Sequence, residues 1–387
     1  MLDEDLRAQL ADWVAPLAEL PPPGIKVLRR RTRRRRMRRG AVAVAAAAAV
    51  AVVVSVASLP GPGRPQVAQS GTSAAPPGTW YPGRWFAAGK LPAAAASVAA
   101  APYVVTISRG GEVVTDVLTG TTAGTGGRPP GGRFAAVAAA GDDRTFLLAA
   151  QTSTSVDFYE QRLDPHGRPG SPVLVFTLPA TSVPAFALSP DASQFAYATP
   201  GGIGVVSLAT GTRRSWTAAG GHVVGLSWAG DNALAFTWAG ISAGEIRSLS
   251  VRLLAATLPG TRLMASRQLV PACANSNGRL CLEQHPLAAA DGSKVFVAEQ
   301  FNGDGTLVAD IEAFAGGTTR TVFSETSLAN SPAAAAACSA LWTDPAGEQL
   351  AVYCAGSTTI IDGSRGHAPS LHVPVSSAAV QDQLIAW

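Results

Sequence analysis

"AFALSPDASQFAYAT", residues 185–199, and "VVSLATG", residues 205–211, decide how this chain is read. The first is a short apolar strand, a turn of Ser, Pro and Asp, and a second apolar strand. The second is an apolar strand closed by a glycine turn. Short runs of apolar, β-branched and aromatic residues bounded by Gly, Pro and Asp mark antiparallel strands. Both patterns recur. The first returns as "FAAVAAAGDDRTFLLAA" from Phe134, "GLSWAGDNALAFTW" from Gly225, "LAAADGSKVFVAE" from Leu287 and "LWTDPAGEQLAVYC" from Leu341. The second ends at Gly120, Gly167, Gly211, Gly260, Gly317 and Gly363, with successive spacings of 47, 44, 49, 57 and 46 residues. That period is the length of one four-stranded sheet.

A lone four-stranded sheet leaves edges and faces bare, and a ring of such sheets covers them. The two patterns alternate, six glycine turns with five hairpins between them, so one hairpin lacks its opening strand at the start of the series. The chain ends "VQDQLIAW", and Trp387 matches the Trp of "LSW" (Trp228) and of "ALW" (Trp342). The C-terminal strand is therefore expected to complete the first sheet and close the ring. The fold expected is an all-β, six-bladed β-propeller, with seven blades as the alternative. The repeats, "LSPDASQFAYA" and "VVSLATG" in particular, resemble the TolB-like and WD-repeat-like β-propellers over roughly residues 85–387. The Trp-Asp dipeptide of true WD repeats does not occur. The resemblance implies binding through loops on one face or through the central channel. It implies no particular activity, because propellers host many.

Ahead of the repeats stands "LRRRTRRRRMRRGAVAVAAAAAVAVVVSVASL", residues 28–59, which places Arg29, Arg30, Arg31, Arg33, Arg34, Arg35, Arg36, Arg38 and Arg39 before an apolar run. Residues 1–40 carry eleven Lys/Arg against five Asp/Glu, whereas residues 41–387 carry nineteen against twenty-one. The sequence pI of about 9.1 thus belongs to one short arm. Binding nucleic acid through phosphate neutralisation needs basic groups on the folded surface, and the large part has no excess of them, so nucleic acid is not an expected partner. Ala41–Leu59 is nineteen residues without a charge. At 1.5 Å per residue that is about 28 Å, the span of a bilayer's hydrocarbon core. Arginine clusters stay on the cytoplasmic side, so the expected topology is N-terminus in the cytoplasm and C-terminal domain outside the cell membrane. A cleaved signal peptide, for which "SVAS" offers small residues, and a twin-arginine signal are the competing readings.

The expected organisation is a cytoplasmic tail at 1–40, a single-pass transmembrane helix at 41–59, a Pro/Gly/Ser-rich linker at 60–84 and an extracytoplasmic propeller at 85–387. In the tail, Leu6, Leu10, Trp13 and Leu17 share one helical face before Pro21–Pro23 stop the helix. This reads as a partly ordered tail or as a docking helix for a cytoplasmic partner. The arrangement resembles the N-termini of actinobacterial single-pass proteins, membrane-bound anti-sigma regulators among them. The His/Cys cluster of their zinc-binding members is absent, since the first His is His166 and the first Cys is Cys273.

All four cysteines lie in the outer domain. Cys338 and Cys354 sit eight residues either side of Ala346, so an antiparallel hairpin makes them cross-strand neighbours within disulfide reach. Cys273 and Cys281 bracket the turn-rich "ANSNGRL", which a second bridge would pin. An even count in an exported domain is what oxidation predicts. Zinc would need close Cys pairs and histidines, and neither is present.

Other candidates read as structure. "GISAG", residues 240–244, matches a nucleophile elbow around Ser242 but lies between two strands with no helix after it. "FNGDGTLVAD", residues 301–310, offers Asn302, Asp304 and Asp310 as oxygen ligands but lacks the calcium-loop spacing and closing Glu. His166, His222, His285, His367 and His372 are scattered, with His222 placed to line the channel. Trp228, Trp238 and Trp342 read as packing between blades. No cofactor, metal or catalytic constellation is expected. The function expected is a membrane-anchored, non-catalytic scaffold that binds a protein partner or envelope ligand. A transmembrane regulator with the propeller as sensor, and an enzyme with acid and base groups clustered on one face, are the alternatives.

Overall fold

The structure is a computed structural model that describes residues 78–83, 85–88, 103–108, 111–129, 132–242, 245–257, 262–270, 273–274, 280–303, 306–328, 338–354, 357–362, 366–371 and 385–386. Arg29–Arg39, Ala41–Leu59 and Trp387 lie outside the described residues. Among those described, no helix is long and apolar enough to cross a membrane.

After a two-residue strand β1 (Thr79–Trp80), the strands follow the chain in groups, one group to a blade. Blade 1 holds β2 (Tyr103–Ser108), β3 (Gly111–Asp116) and β4 (Thr122–Thr125). Blade 2 holds β5 (Arg133–Ala139), β6 (Thr145–Gln151), β7 (Val156–Arg162) and β8 (Val173–Leu178). Blade 3 holds β9 (Phe186–Leu188), β10 (Gln194–Thr199), β11 (Gly202–Ser207) and β12 (Arg213–Thr217). Blade 4 holds β13 (Gly221–Ala229), β14 (Ala233–Ser242), β15 (Glu245–Ala255), β16 (Arg267–Gln268) and β17 (Cys273–Ala274). Blade 5 holds β18 (Leu280–Ala288), β19 (Val295–Gly303), β20 (Thr306–Ala315) and β21 (Thr318–Leu328). Blade 6 holds β22 (Ser339–Thr343), β23 (Gln349–Cys354), β24 (Ser357–Asp362) and β25 (Gly366–Leu371). The last strand, β26 (Ile385–Ala386), returns to blade 1, whose order is β26-β2-β3-β4.

Six sheets make six interfaces, and six apolar clusters fill them. Neighbouring residues of one strand point to opposite faces, so a strand buried on both sides serves two cores. Val105 packs with Phe134 and Leu148 of blade 2, while Val104 packs with Trp342 and Ile360 of blade 6. Phe195 joins Phe158 and Phe176 of blade 2, and Ala196 joins Trp228 and Phe236 of blade 4. Val297 and Phe296 likewise divide between the blade 4 and blade 6 sides of blade 5. The ring closes at six, and the seven-blade alternative falls.

Closure depends on two residues. Ala386 pairs with Val105 and Ile385 with Thr106 in an antiparallel ladder. Ala386 belongs to the core shared with blade 2, and Ile385 packs against the core shared with blade 6. The segment expected as linker joins the fold before its end. β1 adds to the outer edge of blade 2 through β8, so that sheet has five strands. The Trp80 indole donates to Leu208 O at 2.9 Å, and Arg213 donates to Gly78 O at 2.6 Å, which straps blade 2 to blade 3.

A disulfide joins Cys338 to Cys354 with a Cα–Cα distance of 4.3 Å, beside the ladder pair Ser339 and Tyr353. The Cys273 backbone pairs with Leu249 and the Cys281 backbone with Phe301. Their side chains lie outside the described residues.

Replacing Ala386 with Pro constrains the backbone of the two-residue strand that seals the ring and is expected to destabilise by about 3 kcal/mol. The Cys338→Ala, Cys354→Ala double variant is expected to lose about 2–3 kcal/mol. Urea unfolding midpoints at fixed pH measure both. An Ala386→Pro midpoint equal to wild type would show that β26 does not hold the ring.

Candidate functional site

In blades 2 to 6 the first strand is innermost, and in blade 1 the last strand, β26, takes that place; these strands look into the channel. Residues of β5, β9, β13, β18, β22 and β26 together line a cavity of about 230 Å3. Its walls are mostly Ala, Leu, Pro and Ile, with Phe186, Trp228 and Trp342 as aromatic side chains. It lies in the half of the channel nearest the turns that join first to second strands, because Gly141, Pro190, Ala290 and Pro345 line it too.

Those turns are built alike in four blades. Ala140, Ser189, Ala289 and Asp344 each donate a backbone N–H to the residue five positions on, at 2.8–3.2 Å. Each also accepts from the residue three positions on: Asp143, Ala192, Gly292 and Gly347. That fourth position is left-handed throughout, with φ of 52°, 56°, 73° and 66°. A carboxylate often locks the turn, as when Asp142 accepts from the Arg144 and Thr145 amides at 3.1 and 2.8 Å. Consecutive turns interlock: Gly141 N–H donates to Pro190 O, Asp191 N–H to the Asp231 carboxylate, and Asp291 N–H to Pro345 O. Blade 1 has no such turn, because its innermost strand is the chain's last. Across that gap the Trp342 indole of blade 6 donates to Asp143 Oδ1 of blade 2 at 3.3 Å. Trp228 makes the analogous link to Ala187 O, at 3.1 Å.

Asp143 is the one ionisable side chain among the described residues that line the cavity, and it is 6 % exposed. Burial pushes its carboxyl up to about 8, partly relieved by the Trp342 indole and raised further by the Asp142 charge. Two other buried acids are also pushed well above the usual carboxylate range. Glu160, which accepts from Phe86 N at 2.7 Å, is pushed to about 8 by burial, with Asp142 adding to the rise and Arg162 opposing it. Glu112 is pushed to about 7 by burial; the neighbouring Gln161 amide, which donates to Gly170 O, offsets little. Neither Glu112 oxygen has a partner of good hydrogen-bond geometry.

The residues singled out from sequence are not brought together here. Ser242 ends β14 at an exposed hairpin tip. Asp304 lies outside the described residues. Asp310 pairs with Glu299 in the ladder while Asn302 pairs with Leu307, three rungs away; the Asn302 side chain lies outside the described residues. Asp310 accepts from Ser324 Oγ at 2.6 Å. His222 lies near the start of β13 and is not among the residues that line this cavity. His166, His285 and His367 fall on blades 2, 5 and 6, and His372 lies outside the described residues. The tryptophans do pack between blades, and Trp228 and Trp342 also face the cavity. One triad of potential ligands, Glu325, Cys338 and Cys354, comprises the disulfide and a carboxylate beside it, so its sulfurs are already bonded. Asp143 escaped the sequence reading. Aligning the repeats exposes it, as an Asp where other turns carry Gly or Ala.

No family model matches this chain, and no curated protein does. Among solved structures it is similar to a protein of unknown function from Desulfotomaculum acetoxidans (13% identity, 69% of this chain and 94% of that one, TM-score 0.37). It is also similar to a protein from Lactobacillus plantarum (12%, 70% and 82%, TM-score 0.41). A third is the Cps50 (Swd1) β-propeller domain of Myceliophteria thermophila (12%, 71% and 83%, TM-score 0.40). The six-bladed assignment rests on the strand pairing described above.

Acids raised in the folded state favour it most below their unfolded values, near pH 4, and that contribution is lost as pH rises through about 7 to 8. The urea midpoint is therefore expected to be higher at pH 5.5 than at pH 8.5. Glu112→Gln with Glu160→Gln is expected to flatten the profile, each acid contributing about 1–3 kcal/mol of the difference. A profile unchanged by the two substitutions would contradict this.

Proposed function

We propose that this chain is a membrane-anchored, extracytoplasmic β-propeller that acts as a non-catalytic binding scaffold at the cell envelope. The observation that carries the binding reading is the channel cavity. Its walls are inner-strand backbone and apolar side chains, a surface suited to holding a ligand group rather than to relaying protons. Anchoring rests on the arginine cluster ahead of Ala41–Leu59, and an outer location is supported by the Cys338–Cys354 bridge, since disulfides persist in oxidising compartments. The partner is a protein or an envelope ligand engaged on the propeller face or in the channel.

A second reading, a transmembrane regulator of anti-sigma type with the propeller as sensor, draws on the apolar face of Leu6, Leu10, Trp13 and Leu17 ahead of the anchor. Crosslinking and co-purification from membranes separate the two. A partner that is retained by a chain lacking residues 1–28 supports the scaffold. A partner lost with those residues supports the regulator. Deleting Ala41–Leu59 is expected to release the protein from the membrane fraction, and undiminished membrane association would refute the anchor.

A further inference from the structure

The turn residue Asp143 breaks a local pattern in a way that points at a ligand. Its slot is left-handed, a conformation that glycine adopts freely and other residues rarely do, and the matching slots of blades 5 and 6 hold Gly292 and Gly347. Blade 3 has Ala192, the smallest side chain available. Blade 2 alone among these four places a carboxyl there, and it does so beside the gap where blade 1 has no turn.

The surroundings define what would complete it. Asp143 is 94 % removed from solvent, yet none of the influences on its carboxyl comes from a Lys, Arg or His. Its bond to the Trp342 indole occupies Oδ1. Among the described lining residues no other carries a charge, and the hydroxyls are Ser227 and Thr343. These are engaged elsewhere: Ser227 Oγ accepts from Ala288 N at 2.9 Å, and Thr343 Oγ1 donates to Gln349 O at 2.8 Å. An acid in such a place is poorly compensated, and a cation brought to it regains the Coulomb attraction that burial otherwise wastes. The remaining walls are apolar and include the indoles of Trp228 and Trp342, the ring type most attractive to cations.

We propose that the channel cavity binds a primary alkylammonium group, such as a lysine side chain or an amine-bearing envelope ligand presents, with Asp143 as its counter-ion. The apolar stem lies against Leu226, Leu287 and Leu341, and the ammonium sits at the turn end of the cavity by Asp143 and Trp342. This deepens the scaffold reading and rests on it, because it assumes that the channel is the binding surface. Asp143 then serves recognition as well as ring closure: Oδ1 holds Trp342 and the carboxylate charge holds the ligand.

The test uses n-butylammonium chloride and 1-butanol, matched in chain length and differing in charge, with the full-length protein in nonionic detergent at about pH 9, above the value of about 8 to which burial pushes Asp143 and where an alkylammonium is still charged. Saturation-transfer NMR reads binding of each. Butylammonium is expected to bind about tenfold more tightly than 1-butanol. Asp143→Asn keeps an oxygen for the Trp342 indole but removes the charge. It is expected to bring butylammonium down to the level of 1-butanol while leaving 1-butanol unchanged, which also reports that the variant is folded. Should the variant not fold, the wild-type contrast between the two probes decides. Equal binding of both probes to wild type overturns the ammonium site and leaves the channel as a binding surface. Binding of neither overturns both.

Discussion

Each sheet here has two apolar faces, and no sheet can bury both without a neighbour on either side. Everything else in the structure depends on meeting that constraint for six sheets at once. An open row would leave the outer faces of its two end sheets in water, with side chains such as Val104, Ile360 and Trp342 exposed. Bending the row into a ring removes the ends, and six clusters result where an open row would have five. The seal is a strand of two residues, Ile385 and Ala386, whose side chains go to the two cores on either side of blade 1. Since the chain's last strand lies beside its early strand β2, the closing contact is the longest in sequence and the most costly in loop entropy.

The same closure creates the candidate site. A blade made from both parts of the chain has no turn between its innermost and second strands. Five blades carry such turns at one end of the channel, hydrogen-bonded from blade 2 to 3, 3 to 4 and 5 to 6, and at the sixth position a gap is left. The Asp143–Trp342 hydrogen bond crosses it, which draws a carboxyl into the wall of an apolar cavity. Topology, rather than any cluster of reactive residues along the sequence, puts an acid there.

Buried acids recur at other interfaces. Glu112 lies between blades 1 and 2, and Glu160 beneath the strap formed by the segment before blade 1. The strap itself ties blades 2 and 3 through Trp80, Phe86 and Ala88, the last donating to Asp191 O at 3.1 Å. These groups lower the stability available at neutral pH relative to mildly acidic pH, so the ring is not optimised for stability alone.

The sequence by itself determined the blade repeat, the hairpin turns, the cross-strand placement of Cys338 and Cys354, and the return of the last strand to the first sheet. These follow from local rules. Side-chain alternation has a period of two, turn chemistry puts Gly or Asp at fixed offsets, and register follows from the turn. Tertiary structure alone decided the blade count, the strap from Thr79 to Ala88, the absence of His222 from the cavity wall, and the role of Asp143. In "AGDDR" the two aspartates look alike, one capping its own turn and the other reaching a tryptophan 199 residues away. No local rule tells them apart, because what distinguishes Asp143 is the missing turn of another blade, and that gap exists only once the ring has closed.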